Sequence, residues 1–396
     1  MHADFVIIGA GILGLSIARQ LREEHPGASI VILEKEQKIG LHASGRNSGI
    51  MHAGIYYKSD SLKAKFCLQG SRLMTEYCAE HNLPVDRIGK IILPLQSADE
   101  KVIHDLYSRA CKNGAKVQLI SADELQKMEP LANVRANHAL FSPETAVISP
   151  KLILEHLQEA LVKQRVDFYF NALAREFLVK EKKIKLDFME ISYGHLFNTA
   201  GLYADKVAKA CGLEDRYTMI PFKGMYYELA KTSNIKINHL IYPVPDMNVP
   251  FLGVHFTKSI DGKIYIGPTA IPVLGREHYQ GYQGIKCGES LDVFSKLGLQ
   301  YLTNKQGFRN YANQEIPRFI KSRFVASARA MVESIQADDL IKSTKVGIRA
   351  QLFDKVKKEL PMDFIVSKTT NETHVLNAVS PAFTSAFSFA KYVISM

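Results

Sequence analysis

Gly9-Ala10-Gly11-Ile12-Leu13-Gly14 places three glycines at the spacing of a turn that wraps a pyrophosphate. Each has its own task. Gly9 permits the tight turn, Gly11 lets the backbone approach a phosphate, and Gly14 allows a helix to pack closely on a strand. The helix N-terminus that follows favours negative charge. Glu34 comes about 20 residues beyond the last glycine, where an acidic side chain reaches an adenosine ribose. After it runs KEQKIGLHASGRNSGIMHAGIYY, a long polar, glycine-rich stretch. Laid along an extended cofactor, it puts Ser44 and Arg46 near phosphate and carries Asn47, Ser48 and His52 on toward a ring.

The elements needed to position these groups are legible around them. Phe5 to Ile8 form a continuous apolar run, as expected of a parallel strand buried on both faces. Leu13, Ile17, Ala18 and Leu21 continue at helical spacing, and a second apolar run spans 29–33. A nicotinamide-type domain would go on into another helix and strand; the polar stretch after Glu34 suits a longer dinucleotide. Further along, 165–171 read as a strand, FLVKEKKIKLDF as a hairpin, and YGHLFNTAGLYADKVAKACG as strand, turn and helix. Residues 215–275 read as antiparallel strands, and 290–345 have helical spacing. Ser380 suits an N-cap and Pro381 the first position of a helix running through Phe383, Phe387 and Phe389.

Composition narrows the classes. The chain of 396 residues is long enough for two domains, and its formal net charge of +10 favours anionic partners. The basic residues are dispersed, without zinc-finger spacing or an aromatic-rich RNA motif, so no nucleic-acid partner is expected. Five widely spaced cysteines without a C-x-x-C pair fit a reducing compartment and no metal site. No uncharged run reaches the roughly 18 residues of a membrane span. The expected location is the cytoplasm, with peripheral contact to the inner face of the cell membrane.

Several longer blocks carry a resemblance. SGRNSGIMHAGIYY with SLKAK behind it, PFKGMYYEL, IYPVPDMNVPFLGVHFT, IGPTAIPVLGREHY, GIRAQ and HVLNAVSPAFTSA occur in order over nearly the whole chain. Together they resemble the FAD-dependent L-2-hydroxyglutarate dehydrogenases or oxidases, within the D-amino-acid-oxidase-like flavoproteins. The resemblance implies an α/β (α+β) protein. A discontinuous Rossmann-like FAD-binding domain (1–90, 145–215, 345–396) is interleaved with a mostly antiparallel sheet plus helices (91–144, 216–344) that binds substrate. The FAD contacts it implies are Gly9, Gly11, Ile12, Leu13, Gly14, Glu34, Lys35, Ser44, Arg46, Asn47, Ser48, Gly201, Ser380, Pro381 and Ala382.

The implied reaction takes a hydride from C2 of a 2-hydroxy acid and a proton from its hydroxyl. A histidine suits the proton. His52 is the first expectation as base, and His255 a substrate ligand or second base. Arg349 is expected to pair with one carboxylate of a small dicarboxylate substrate and Lys223 with the other, with Tyr226, Tyr227 and Arg276 as alternatives. Electrons would pass to a quinone or to oxygen. A related flavin enzyme acting on an amine, amino acid or glycerol phosphate is the alternative, as is a flavin-binding regulator with idle catalytic residues. In 313–335, Ile316, Phe319, Ile320, Phe324, Ala328 and Met331 follow helix-like spacing beside Arg318, Lys321, Arg323 and Arg329. That pattern suits weak contact with a membrane surface; Glu315, Glu333 and the interruption at Pro317 favour a domain helix with its apolar face inward.

Overall fold

The structure is a computed structural model describing all 396 residues. β1 (His2–Ile8), α1 (Ile12–Glu24) and β2 (Ile30–Leu33) form the strand, helix and strand read from the sequence. β1 lies inside an eight-stranded sheet, parallel to β2 on one edge and to Glu190–Asn198 on the other. Val166–Tyr169 extends the sheet beyond β2, and Glu372–Asn377 adds in parallel to the end of Glu190–Asn198. The expected hairpin is Glu176–Leu178 with Lys183–Lys185.

The helices α1, α2 (Leu62–Glu80) and Pro150–Lys163 pack with the C-terminal helix Ala382–Ser395 into the largest apolar core. The C-terminal helix is the middle of this layer, touching both α1 and α2. It begins at Ala382, with Pro381 in the cap position and no side-chain cap, so Ser380 is not the N-cap.

A second, nine-stranded sheet is built on Tyr217–Leu229 and Leu340–Asp354, antiparallel from Tyr217 opposite Asp354 to Leu229 opposite Leu340. Ile264–Gly267, His255–Lys258, Leu240–Pro243, Lys90–Leu93, His138–Ser142 and Gln118–Ser121 follow in that order. The pairing of Leu240–Pro243 with Lys90–Leu93 is parallel, within a sheet whose other pairings are antiparallel. Leu340–Asp354 runs unbroken across the boundary expected at 345, and Lys90 already belongs to this sheet. Helical spacing in 290–345 resolves into Cys287–Thr303, Phe308–Glu315 and Lys321–Arg329 and gives way to strand at Leu340.

The glycine turn is set by backbone contacts. Gly9 has φ +100°, a conformation open to glycine. A Cβ on Gly14 would stand 2.0 Å from the Gly9 carbonyl oxygen, so this helix reaches its strand only without a side chain there. Gly14→Ala should therefore lower the calorimetric melting temperature by roughly 5 °C or more. Gly288→Ala, exposed on a helix with nothing within 4 Å of its Cβ, should not.

Candidate functional site

One cavity lies where the two sheets meet. The first turns of α1 and of the C-terminal helix open into it, at Gly11 to Leu13 and Ala382 to Thr384. The loop from Ala43 to His52 runs along its wall, and its far end is closed by side chains of the second sheet. No aspartate or glutamate lines it. Two helix N-termini without an acidic side chain make a field that favours an anion. At the α1 end the Ile12 amide donates to Ser44 Oγ at 3.0 Å, while the Leu13 and Gly14 amides have no protein acceptor. A Cβ on Gly11 would stand 2.9 Å from that same oxygen, so the cradle exists because Gly11 has no side chain.

The residues expected to hold a cofactor divide into four groups. Gly11, Ile12, Leu13, Ser44, Arg46, Asn47, Ser48, Gly201, Ser380, Pro381 and Ala382 line the cavity, and Gly9 and Gly14 shape the turn behind it. Asn47 closes its own loop, donating to the Ser44 carbonyl at 2.6 Å and accepting from the Gly49 amide at 2.8 Å. Arg46 donates to the Leu41 carbonyl at 2.7 Å and the Val346 carbonyl at 3.3 Å, and stacks 4.3 Å from the Tyr279 ring centre. It ties the loop to the second sheet. Glu34 sits just outside, its carboxylate accepting from the amides of Ala10 (2.8 Å) and Glu36 (3.0 Å), with lone pairs left for further donors.

Lys35 does not reach the cavity. Its ammonium pairs with Glu36 and, at 2.6 Å, with Glu277, and lies 3.1 Å from His42 Nε2, because the chain turns outward after Glu34.

The far end holds two histidines and an arginine. Arg349 donates to the Pro250 carbonyl and lies over the Phe251 ring at 5.3 Å, but pairs with no carboxylate. His255 donates from Nδ1 to the Gly253 carbonyl at 2.8 Å, the polarity a carbonyl acceptor enforces, so Nε2 keeps a bare lone pair. Its ring stacks on Tyr242 at 3.9 Å and 24°. His52 Nε2 lies 3.2 Å from Ser380 Oγ, and its Nδ1 is buried without a partner. Burial, reinforced by Lys90, His255, Arg349 and Lys63, pushes His52 down to about 3. Burial, with Lys90 and Arg349, takes His255 to about 4. Both imidazoles are uncharged at neutral pH.

Lys223 is a correction. On its strand Phe222, Gly224 and Tyr226 line the cavity, so the alternation of side chains turns Lys223 to the opposite face, near Lys342. Tyr227 likewise turns away and packs on Phe324. Arg276 is occupied by Asp205, with Oδ2 at 2.8 Å. Tyr226 alone of these alternatives faces the cavity. Two cations escaped the sequence reading. Lys63 and Lys90 are 6% and 1% exposed, lie behind the cavity wall, and burial takes both down to about 7. Lys90 heads the apolar run KIIL and looks there like an ordinary strand-end charge.

A family model described as "FAD dependent oxidoreductase" (DAO) matches residues 4–396. An L-2-hydroxyglutarate dehydrogenase of Indibacter alkaliphilus is 34% identical, aligned over 98% of this chain and 97% of that one. The enzyme of that name from Escherichia coli K12 is 32% identical over 99% of this chain and 92% of its own, and the human mitochondrial one 31% over 98% and 87%. In fold, the chain superposes on FAD-bound L-α-glycerophosphate oxidase from Mycoplasma pneumoniae with a TM-score of 0.79 at 19% identity, covering 100% of this chain and 94% of that one. Glycine oxidase from Geobacillus kaustophilus gives 0.72 at 14% identity over 100% and 94%. The cavity fits FAD: the cradle at Gly11 and its unpartnered amides suit a pyrophosphate. Gly11 has φ −83°, so a larger residue there strains no backbone; it displaces the Ser44 hydroxyl and fills the cradle. Gly11→Val is expected to purify folded but colourless; a variant with full flavin absorbance at equal yield would refute this use of the turn.

Proposed function

This chain belongs to the DAO family of FAD-dependent oxidoreductases, and on that premise we propose that it oxidises L-2-hydroxyglutarate to 2-oxoglutarate. The observation carrying the reading is Arg349, an unpaired guanidinium facing two uncharged histidines in a cavity without acidic side chains. A guanidinium in that setting calls for a carboxylate, and an uncharged imidazole beside it calls for a proton donor. A 2-hydroxy acid is both. The curated relatives named above supply the choice of L-2-hydroxyglutarate among such acids.

Bound FAD would supply the acceptor for the hydride that leaves the substrate carbon. Arg349 holds the carboxylate next to that carbon in a bidentate pair, and the Tyr226 hydroxyl faces the same space. The hydroxyl proton passes to Nε2 of His255, the one imidazole nitrogen here with a fixed tautomer and a free lone pair. His52, whose Nε2 is already engaged by Ser380, orients the substrate oxygen. This reverses the order expected for the two histidines, for a geometric reason. His255→Asn should retain flavin and lose about a hundredfold to ten-thousandfold in the rate of anaerobic flavin bleaching by L-2-hydroxyglutarate. A larger loss for His52→Asn would return the base to His52. A base must be unprotonated to act, so activity falls as pH drops through its pKa. With both histidines held low, kcat/KM should stay flat from neutral pH to about 5.

Electrons leave to a quinone or to oxygen, and the surface favours a route along a membrane. No helix is long and apolar enough to cross one. Ile316, Phe319 and Ile320 are more than half exposed, and Lys321 and Arg323 stand beside them in sequence without carboxylate partners. The rest of the expected amphipathic stretch is core: Phe324, Ala328 and Met331 are buried, and the segment breaks into Ile316–Phe319 and Lys321–Arg329. An apolar tip with flanking cations suits an anionic lipid surface. The protein should sediment with anionic vesicles at low salt and be released by high salt. Phe319→Glu and Arg323→Glu should weaken this and leave turnover with a soluble dye intact. Wild type remaining in the supernatant would end the membrane reading.

A further inference from the structure

Lys90 is the first residue of the strand Lys90–Leu93 and 1% exposed. Its ammonium has no carboxylate partner. It rests between two aromatic faces, 4.7 Å from the Tyr56 ring centre and 5.0 Å from that of Tyr242. Tyr242 in turn stacks on His255. Register makes the three neighbours. Leu240 stands opposite Lys90 and Tyr242 opposite Ile92, so Lys90 and Tyr242 share a face, and Ile241 opposite Phe256 places His255 on it too. An unpaired buried ammonium is costly, whereas a methionine would fill the same space without that penalty. A lysine kept here, charged as pH falls below about 7, has a task.

We propose that Lys90 is a positioning residue for proton transfer: a buried positive charge that pins the Tyr242 ring against His255 and keeps His255 and His52 uncharged while a doubly negative substrate is bound. The inference rests on the dicarboxylate reading above. Two substrate carboxylates beside an imidazole favour its protonated form and would disable it as a base; a nearby cation opposes this. The titratable groups around the two histidines are Cys67 and Lys63 on α2, Tyr56 and Tyr57 in the preceding loop, Lys90, Tyr226, Tyr242, Tyr311 and Arg349. Burial holds the thiol and phenols protonated and takes Lys63 and Lys90 down to about 7, so Arg349 is charged throughout and the two lysines add their charge as pH falls toward the acid limb. Arg349 is engaged by substrate, and Asp363 partly offsets Lys63. Lys90 is the one that neither substrate nor a protein acid neutralises.

The test compares holoenzyme carrying Lys90→Met or Lys90→Arg with wild type, by the pH profile of kcat/KM and by NMR titration of the histidine ring protons. Removing a positive charge lets the imidazoles protonate at higher pH. Lys90→Met should therefore move the acid limb and the His255 titration upward by about one to two pH units, the size of one charge nearby at an effective dielectric near 20. The loss of kcat/KM should grow as pH falls, at pH 4 exceeding the loss at pH 8.5 by about tenfold. Lys90→Arg should keep the wild-type limb, and Lys90→Met should melt no lower than wild type. A folded Lys90→Met with unmoved limb and unmoved ring titrations overturns the proposal. If Lys90→Met does not fold, Lys90→Gln is read the same way. If wild type does not turn over L-2-hydroxyglutarate, the substrate reading falls, and the ring titrations still decide the role of Lys90.

Discussion

Arg349 is a half-buried guanidinium on the cavity wall with no carboxylate to neutralise it, and much of the structure can be understood as what keeps it there. Taking a charge out of water costs several kcal/mol even after relaxation, and the usual remedy is an acidic partner. Here the partner is withheld. Backbone takes part of the role, through the Pro250 carbonyl, and the face of Phe251 takes another. The remaining hydrogen-bonding capacity points into a cavity whose lining has no acid, so an anionic ligand completes what folding leaves open.

That constraint explains the meeting of the two sheets. Arg349 sits on Leu340–Asp354, which pairs with Tyr217–Leu229 without a break from Asp354 to Val346, the stretch that carries Arg349, before the register shifts at Met225. The loop that lines the cofactor side is fastened to that same strand by Arg46, and a Cβ on Gly347 would stand 2.8 Å from the Arg46 carbonyl oxygen. The cofactor-side loop and the substrate-side cation therefore share one rigid support. Reacting groups held on strands keep their geometry better than groups on free loops.

What the sequence discloses follows the range of the interaction involved. The glycine turn, β1, α1, β2 and Glu34 are legible because each is local: apolar periodicity, fixed spacing and a turn only glycine allows. Ser380 before Pro381 reads as a cap by local rules, yet the helix starts later and the hydroxyl turns to His52 across more than three hundred residues. Lys223 fails for a related reason. Its neighbours Phe222 and Gly224 give no local sign of which strand face meets the cavity, and pairing with Leu340–Asp354 decides it. Lys35 follows Glu34 in sequence but is claimed by Glu277 from the other sheet's connections. Lys90 is the extreme case: only the stacking of Tyr56, Tyr242 and His255 around it distinguishes it from a solvated strand end.

The same withheld counter-charge sorts the protons. Burial disfavours every charged form in the cavity, but the groups do not respond alike. Arginine stays protonated in proteins even where burial lowers its proton affinity, as it does for Arg349. The phenols of Tyr226 and Tyr242 and the thiol of Cys67 are pushed upward and keep their protons too. The imidazoles give their protons up well below neutral pH and the lysines behind the wall only near it, and the cations push the imidazoles in the same direction. At neutral pH the cavity thus contains a fixed cation, hydroxyls that can only share a hydrogen bond, and two imidazoles able to take a proton. Of those two, His255 has one nitrogen committed to a carbonyl and the other free, so the proton has one well-defined destination.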